Sequence, residues 1–166
     1  MAIPESAVLL AGFVLAHAVW SVSDLPKGEL LVPLAIIEKN GQRELLRFEA
    51  ETQVQAIANG KATLAKRQGD ADAWAFAREG QFKEEDKYVD VISVDVWAKG
   101  MPASVTFVQP FQPCATGEFK LLGEAWAIID GKVQTAAASN QLITQLNLDI
   151  QSHSKAAKLW PEWHRK

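Results

Sequence analysis

The sequence predicts an α+β fold, in which three helices pack on the concave side of a curved, mainly antiparallel β-sheet. Three observations lead to this prediction. An Asn40-Gly41 pair separates two apolar-rich stretches, which is typical of a β-hairpin. Between residues 74 and 129 the chain shows repeated period-2 alternation, which is typical of strands. Three further segments are either apolar throughout or apolar at helical spacing.

The first helix is predicted over residues 5–22. Pro4 suits a first helical turn, and no polar side chain occurs between Ala7 and Ala16. Such a helix leaves a large apolar surface unless something covers it. Either the sheet and the other helices enclose it, or a second copy of the chain covers it in a homodimer. His17 is expected to pack within this helix as a neutral, hydrogen-bonded imidazole.

The same apolar run raises the question of export. Ala16-His17-Ala18 imitates a signal-peptide cleavage site, so loss of the first 18 residues is the alternative to a buried helix. Against export, the residues before the run carry Glu5 and no Lys or Arg. The run is also shorter than the roughly 20 residues that a bilayer requires. Together with the single cysteine, these features favour a soluble, cytoplasmic protein without a membrane partner.

The hairpin is predicted from residues 30–37 and 44–48, with Pro33 marking an edge strand or an interruption. A second helix follows, in which Thr52 and Gln55 fit a capping box. The Asn59-Gly60 pair inside this helix indicates a close packing contact or a bend.

A meander of four or five strands is predicted next. Its four clearest strands cover residues 74–82, 89–99, 104–112 and 119–129. Asp130-Gly131 is a second hairpin signal, after which residues 132–138 form either one more strand or the start of the last helix. That helix is predicted to be capped by Ser139 or Asn140 and to end near Trp160, before Pro161. No linker or repeat divides residues 1–166, so a single domain is expected.

Composition and motifs exclude several classes of function. The 48% hydrophobic content is that of a folded protein, and a net charge of -3 with mixed signs does not favour nucleic-acid binding. The chain lacks phosphate-loop, dinucleotide-binding, nucleophile-elbow and paired-cysteine motifs. Three dispersed histidines and one cysteine do not suggest a metal site. We therefore expect no metal, cofactor or nucleic-acid partner.

The candidate site comes from placing the meander strands side by side. If Trp97 pairs with Val105, the strands bring a small polar cluster together among aromatic side chains on one sheet face. An apolar surface with a few convergent polar groups is the usual form of a small-ligand site. The predicted ligand-binding residues are Arg78, Ser93, Asp95 and Gln109 with Phe76, Trp97 and Phe107.

Three interpretations of this face stay open: a partly buried Arg78–Asp95 ion pair that is only structural, a ligand pocket, or a face in contact with water. The first functional hypothesis is a noncatalytic module that binds a small ligand or another protein. The alternative is a small enzyme with Asp95 or Glu124 as acid or base and Arg78 orienting an anionic substrate. Cys114 lacks an identifiable base, so the sequence names no catalytic residue. His153 is expected to be solvated.

Overall fold

A computed structural model describes residues 2–26 and 28–165, and over these residues the chain forms four α-helices and one open antiparallel sheet of eight strands. The helices are α1 (Glu5–Val22), α2 (Gln53–Arg67), α3 (Ala136–Asp149) and α4 (Ser154–Arg165). The strands are β1 (Leu34–Lys39), β2 (Gln42–Arg47), β3 (Ala73–Glu84), β4 (Lys87–Ala98), β5 (Val105–Gln112), β6 (Lys120–Leu121), β7 (Trp126–Ile129) and β8 (Lys132–Val133). The predicted α+β class with an antiparallel sheet is confirmed.

The strands lie in the order β2-β1-β3-β4-β5-β7-β8, and β6 pairs with β5. Both predicted hairpins are confirmed, because Asn40-Gly41 and Asp130-Gly131 connect paired strands with positive φ angles of 52° and 76°, and of 52° and 74°. β1 begins directly after Pro33 and has a neighbour on each side, so it is not an edge strand. The last predicted meander strand is instead the two short strands β6 and β7.

Helix α1 begins and ends where the sequence predicts, and the rest of the chain encloses it. It contacts β3 and β4 on one side and α3 and α4 on the other. By length and composition α1 could cross a membrane, but 61% of it is buried inside the structure, as in the core helix of a soluble protein. The rest of the chain thus supplies the cover that this helix requires, and a homodimer through it stays a prediction.

The helices cover both faces of the sheet rather than one, which corrects the prediction. Consecutive residues of β2 show this, because neighbouring side chains point to opposite faces. The guanidinium of Arg43 lies 5.0 Å from the centre of the Phe13 ring on α1. The next residue, Glu44, accepts a hydrogen bond of 3.0 Å from Arg67 on α2. We call these surfaces the α1 face and the α2 face.

The C-terminal region also differs from the prediction of one long helix. Helix α3 begins earlier, because Thr135 rather than Ser139 or Asn140 is its N-cap and accepts from the Ala138 N–H at 3.1 Å. A 3₁₀ turn over Ile150–Ser152 then separates α3 from α4. Pro161 lies inside α4 rather than beyond it. Burial of Trp160 and Trp163 anchors this proline-containing helix to the core.

Candidate functional site

On the α2 face the predicted charge pair is present. The β3–β4 register places Arg78 opposite Ser93 and Phe76 opposite Asp95, as predicted. Arg78 Nη1 lies 2.7 Å from Asp95 Oδ2, and Thr106 Oγ1 donates to Asp95 Oδ1 at 2.6 Å. The two charged side chains are 20% and 14% exposed. This arrangement matches the interpretation of a partly buried structural ion pair.

The predicted β4–β5 register is wrong by one residue. Val96, not Trp97, pairs with Val105. The connecting loop explains the difference, because the Trp97 indole N–H donates to the Met101 carbonyl at 3.0 Å and fixes the loop over the end of β4. A shift of one residue moves side chains to the other face.

Gln109 and Phe107 therefore lie on the α1 face, away from the other five predicted residues. Gln109 is only 2% exposed and donates to the carbonyls of Pro110 and Gly123. Phe107 is completely buried in the core. Neither can line the predicted site.

A cavity of about 310 Å³ lies between α2 and the sheet. Of the predicted ligand-binding residues, those lining it among the described residues are Phe76 and Asp95. Trp74 also lines it, and its indole N–H donates to Gln68 at 3.0 Å. Asp95 already accepts from Arg78 and Thr106, so the acidic group that the sequence predicts for this site is engaged within the chain.

The other candidates from the sequence are also engaged. Glu124 is exposed and accepts from Asn147 at 3.1 Å. The Cys114 thiol donates to the Leu25 carbonyl at 3.0 Å. His17 Nδ1 lies 3.1 Å from His153 Nε2, so His153 is not solvated as predicted but buried beside α1.

The α1 face contains a second cavity, which was missed from the sequence and which we call the Glu79 pocket. Its volume is about 290 Å³, and it lies where α1 ends. Glu79 of β3 and Asp90 of β4 contribute carboxylates to its lining, and Glu29 of the loop after α1 contributes a third. The apolar part of the wall is formed by Val22, Leu25, Pro26, Leu30, Phe111 and Pro113, with Cys114 beside them.

The position of the Glu79 pocket follows from the alternation of residues along β3. Ala73, Ala75 and Ala77 are small and buried, which lets α1 lie close to the sheet. The next residue of β3 on this face is Glu79. On β4 the same face carries buried Ile92, Val94 and Val96, and the residue that follows Ile92 towards the start of the strand is Asp90. Two paired strands thus change from apolar to acidic where the helix stops.

The electrostatics of the pocket are unusual for a sheet surface. Burial raises the pKa of Glu79, and the neighbouring Asp90 carboxylate raises it further. Glu79 Oε1 accepts from the Leu31 N–H at 3.1 Å, and Asp90 accepts from the Gln81 amide at 3.5 Å. Within residues 2–26 and 28–165, neither carboxylate forms a salt bridge with Lys, Arg or His.

The described part of the chain holds no group of three or more His, Cys, Asp or Glu side chains that could bind a metal ion. Comparisons with known proteins add no function, because no family model, no curated protein and no solved structure matches this chain.

Proposed function

We propose that this protein is a noncatalytic binding module for a small organic cation, such as an amine with an apolar substituent, and that the Glu79 pocket holds it. One observation carries the proposal. Three carboxylates, those of Glu29, Glu79 and Asp90, line a largely apolar cavity of about 290 Å³, and none of them forms a salt bridge among the described residues.

The physical reason is the cost of an unpaired charge in an apolar setting. A partly buried carboxylate is destabilised unless a cation or several hydrogen bonds compensate it. One backbone N–H reaches Glu79, which compensates it only in part. An ammonium group would donate to Glu79 and Asp90, while its apolar substituent would contact Leu30 and Phe111.

A binding role is favoured over catalysis because the side chains that the sequence offers for acid, base or nucleophilic chemistry are hydrogen-bonded within the chain. Asp95 is paired with Arg78, and the Cys114 thiol is hydrogen-bonded to a backbone carbonyl. Glu124 accepts from Asn147 and is not part of the Glu79 pocket.

The binding proposal is tested by calorimetric titration with cyclohexylmethylamine and with cyclohexylmethanol, which has a similar shape but no charge. We expect the amine to bind and the alcohol to bind much more weakly. Glu79→Gln should weaken amine binding by about tenfold to a hundredfold, since a hydrogen bond to a charged group contributes about 1.5–3 kcal/mol. Equal binding of amine and alcohol would contradict the proposal.

Glu84→Gln is the matched control, because Glu84 lies at the exposed end of the same strand and loses the same charge. Amine affinity should not change in this variant. Lys27 lies outside the described residues but follows Pro26 in sequence, so Lys27→Ala is measured as well. Tighter amine binding by this variant would show that the protein's own lysine competes for the carboxylates.

A small enzyme that uses Glu79 as its acid or base is the second candidate function. The raised pKa of Glu79 favours it, because a carboxyl group that keeps its proton to higher pH is a better general acid. Proton NMR of a bound amine that also carries a hydrolysable ester group, followed over several hours, separates the two functions. An unchanged ligand spectrum supports binding alone, whereas new resonances that are absent with Glu79→Gln support catalysis.

A further inference from the structure

The partly buried imidazole of His17 and the buried imidazole of His153 connect α1 to the start of α4. Their facing nitrogens, His17 Nδ1 and His153 Nε2, are 3.1 Å apart. The rings of Phe13 and Trp20 flank the pair, with ring centres 5.2 and 5.8 Å from that of His153. A cavity of about 250 Å³ opens beside these residues and is also lined by Ser152, Ser154 and Lys155.

The hydrogen-bond network assigns the proton positions of the neutral pair. His153 Nδ1 accepts from the Ala156 N–H at 3.1 Å, so the ring carries its proton on Nε2. This Nε2–H then donates to His17 Nδ1, which leaves the His17 proton on Nε2. Among the described residues no acceptor is within hydrogen-bond distance of that proton. The cavity therefore has an imidazole donor that a ligand can use.

The charged groups around the pair are cationic. Besides burial, the positive charge of Arg47 on β2 lowers the pKa of His17, and the positive charge of Lys155 on α4 lowers the pKa of His153. The Lys155 ammonium lies 4.9 Å from the centre of the Trp20 ring. Neither cation forms a salt bridge within the described chain, and no carboxylate lines the cavity there. Arg43 is also near Phe13, but Glu38 pairs with it at 2.8 Å.

We propose that this cavity, the histidine pocket, is a binding site for a small oxyanion, and that binding strengthens as the two imidazoles take up a proton. The site is separate from the Glu79 pocket. Carboxylate, phosphate and sulfate groups share the required chemistry, because each accepts several hydrogen bonds and carries negative charge.

The coupling to protonation follows from the hydrogen-bond chain. A proton added to His17 Nδ1 would face the Nε2–H of His153, and moving that proton to His153 Nδ1 would oppose the Ala156 N–H. In the free protein the charged pair is thus disfavoured by lost hydrogen bonds and by the nearby cations. A bound oxyanion would accept from the imidazoles and offset the added charge.

The test is a titration of the protein with sulfate and with benzoate at constant ionic strength, at pH values from about 5.5 to 8, across the usual range of histidine. Both probes keep their charge over this range, so any pH dependence comes from the protein. The imidazole NMR resonances of His17 and His153 report binding. We expect at least one probe to raise the histidine pKa values, and its affinity to increase up to about tenfold for each unit by which the pH is lowered, for one coupled proton. The probe that binds more tightly identifies the anionic group as tetrahedral or planar.

Three variants complete the test. Lys155→Gln should weaken binding several-fold, whereas Lys158→Gln, an exposed lysine on the same helix, should not. His153→Asn keeps a side-chain acceptor at this cap position but cannot titrate, so binding should become less dependent on pH. Equal losses in both lysine variants, or histidine resonances that respond to neither probe, would overturn the proposal.

Discussion

Replacement of Gly60 by alanine tests the contact between α2 and the sheet. A Cβ atom on Gly60 would lie 2.5 Å from Cε1 and 2.7 Å from Cζ of Phe76, and 3.2 Å from Cδ2 of Phe48. The Phe76 ring is completely buried, so it has little room to retreat. Glycine lowers the intrinsic helix propensity of α2 at this position, but its missing Cβ allows the close packing of α2 against Phe76 and Phe48.

The magnitude follows from two opposing effects. Alanine stabilises a helix interior by about 1 kcal/mol relative to glycine. Overpacking of a close-packed contact costs about 1–3 kcal/mol, and the upper part of that range applies because two aromatic rings confine the site. The net expectation for Gly60→Ala is a loss of about 1–2 kcal/mol in the free energy of unfolding.

Urea denaturation followed by tryptophan fluorescence measures this loss as a lower midpoint with an unchanged slope. Gly69→Ala is the matched control, because nothing lies within 4 Å of a Cβ atom at Gly69. That variant should be as stable as the parent protein or slightly more stable. If Gly60→Ala unfolds at the same urea concentration as the parent or a higher one, the close contact described above is incorrect.

Acidification should destabilise the fold, since burial lowers the pKa of both His17 and His153 and the unfolded chain binds their protons first. The free energy of unfolding, from urea titrations, should fall as the pH drops below about 6.5, by up to about 1.4 kcal/mol per pH unit for each histidine, and His153→Asn should make this fall less steep. Arg78→Met should cost about 1–3 kcal/mol because it leaves Asp95 without its cation in a partly buried site. Lys39→Met, which removes an exposed salt bridge, should leave the midpoint nearly unchanged.

Features determined by neighbouring residues could be predicted from the sequence. The asparagine-glycine and aspartate-glycine turns require positive φ angles that few residue pairs adopt, so both hairpins were identified correctly. The Thr52 cap accepts from the Gln55 N–H as expected at a helix N-terminus. The ends of α1 were also correct, because Pro4 and the long apolar run define them locally.

Features determined by distant contacts could not be predicted in the same way. The β4–β5 register depends on the Trp97 hydrogen bond to Met101, which no period-2 pattern reveals. The break between α3 and α4 depends on His153, whose ring caps α4 while contacting α1. Glu79 lies on the face opposite to the aromatic cluster that indicates a ligand site in the sequence. The correctly predicted β3–β4 register already placed Glu79 opposite Ile92 and next to Asp90 on the other face.

The enclosure of α1 has a consequence for the order in which the chain is made. The most apolar helix emerges from the ribosome before the elements that cover it, and α4, which helps to cover it, ends 143 residues after Val22. At about 5–20 residues per second, roughly 7–30 s separate the synthesis of the two helices. During that interval α1 has no complete binding surface within its own chain. We therefore expect nascent chains to depend on chaperones, and truncations before α3 to aggregate.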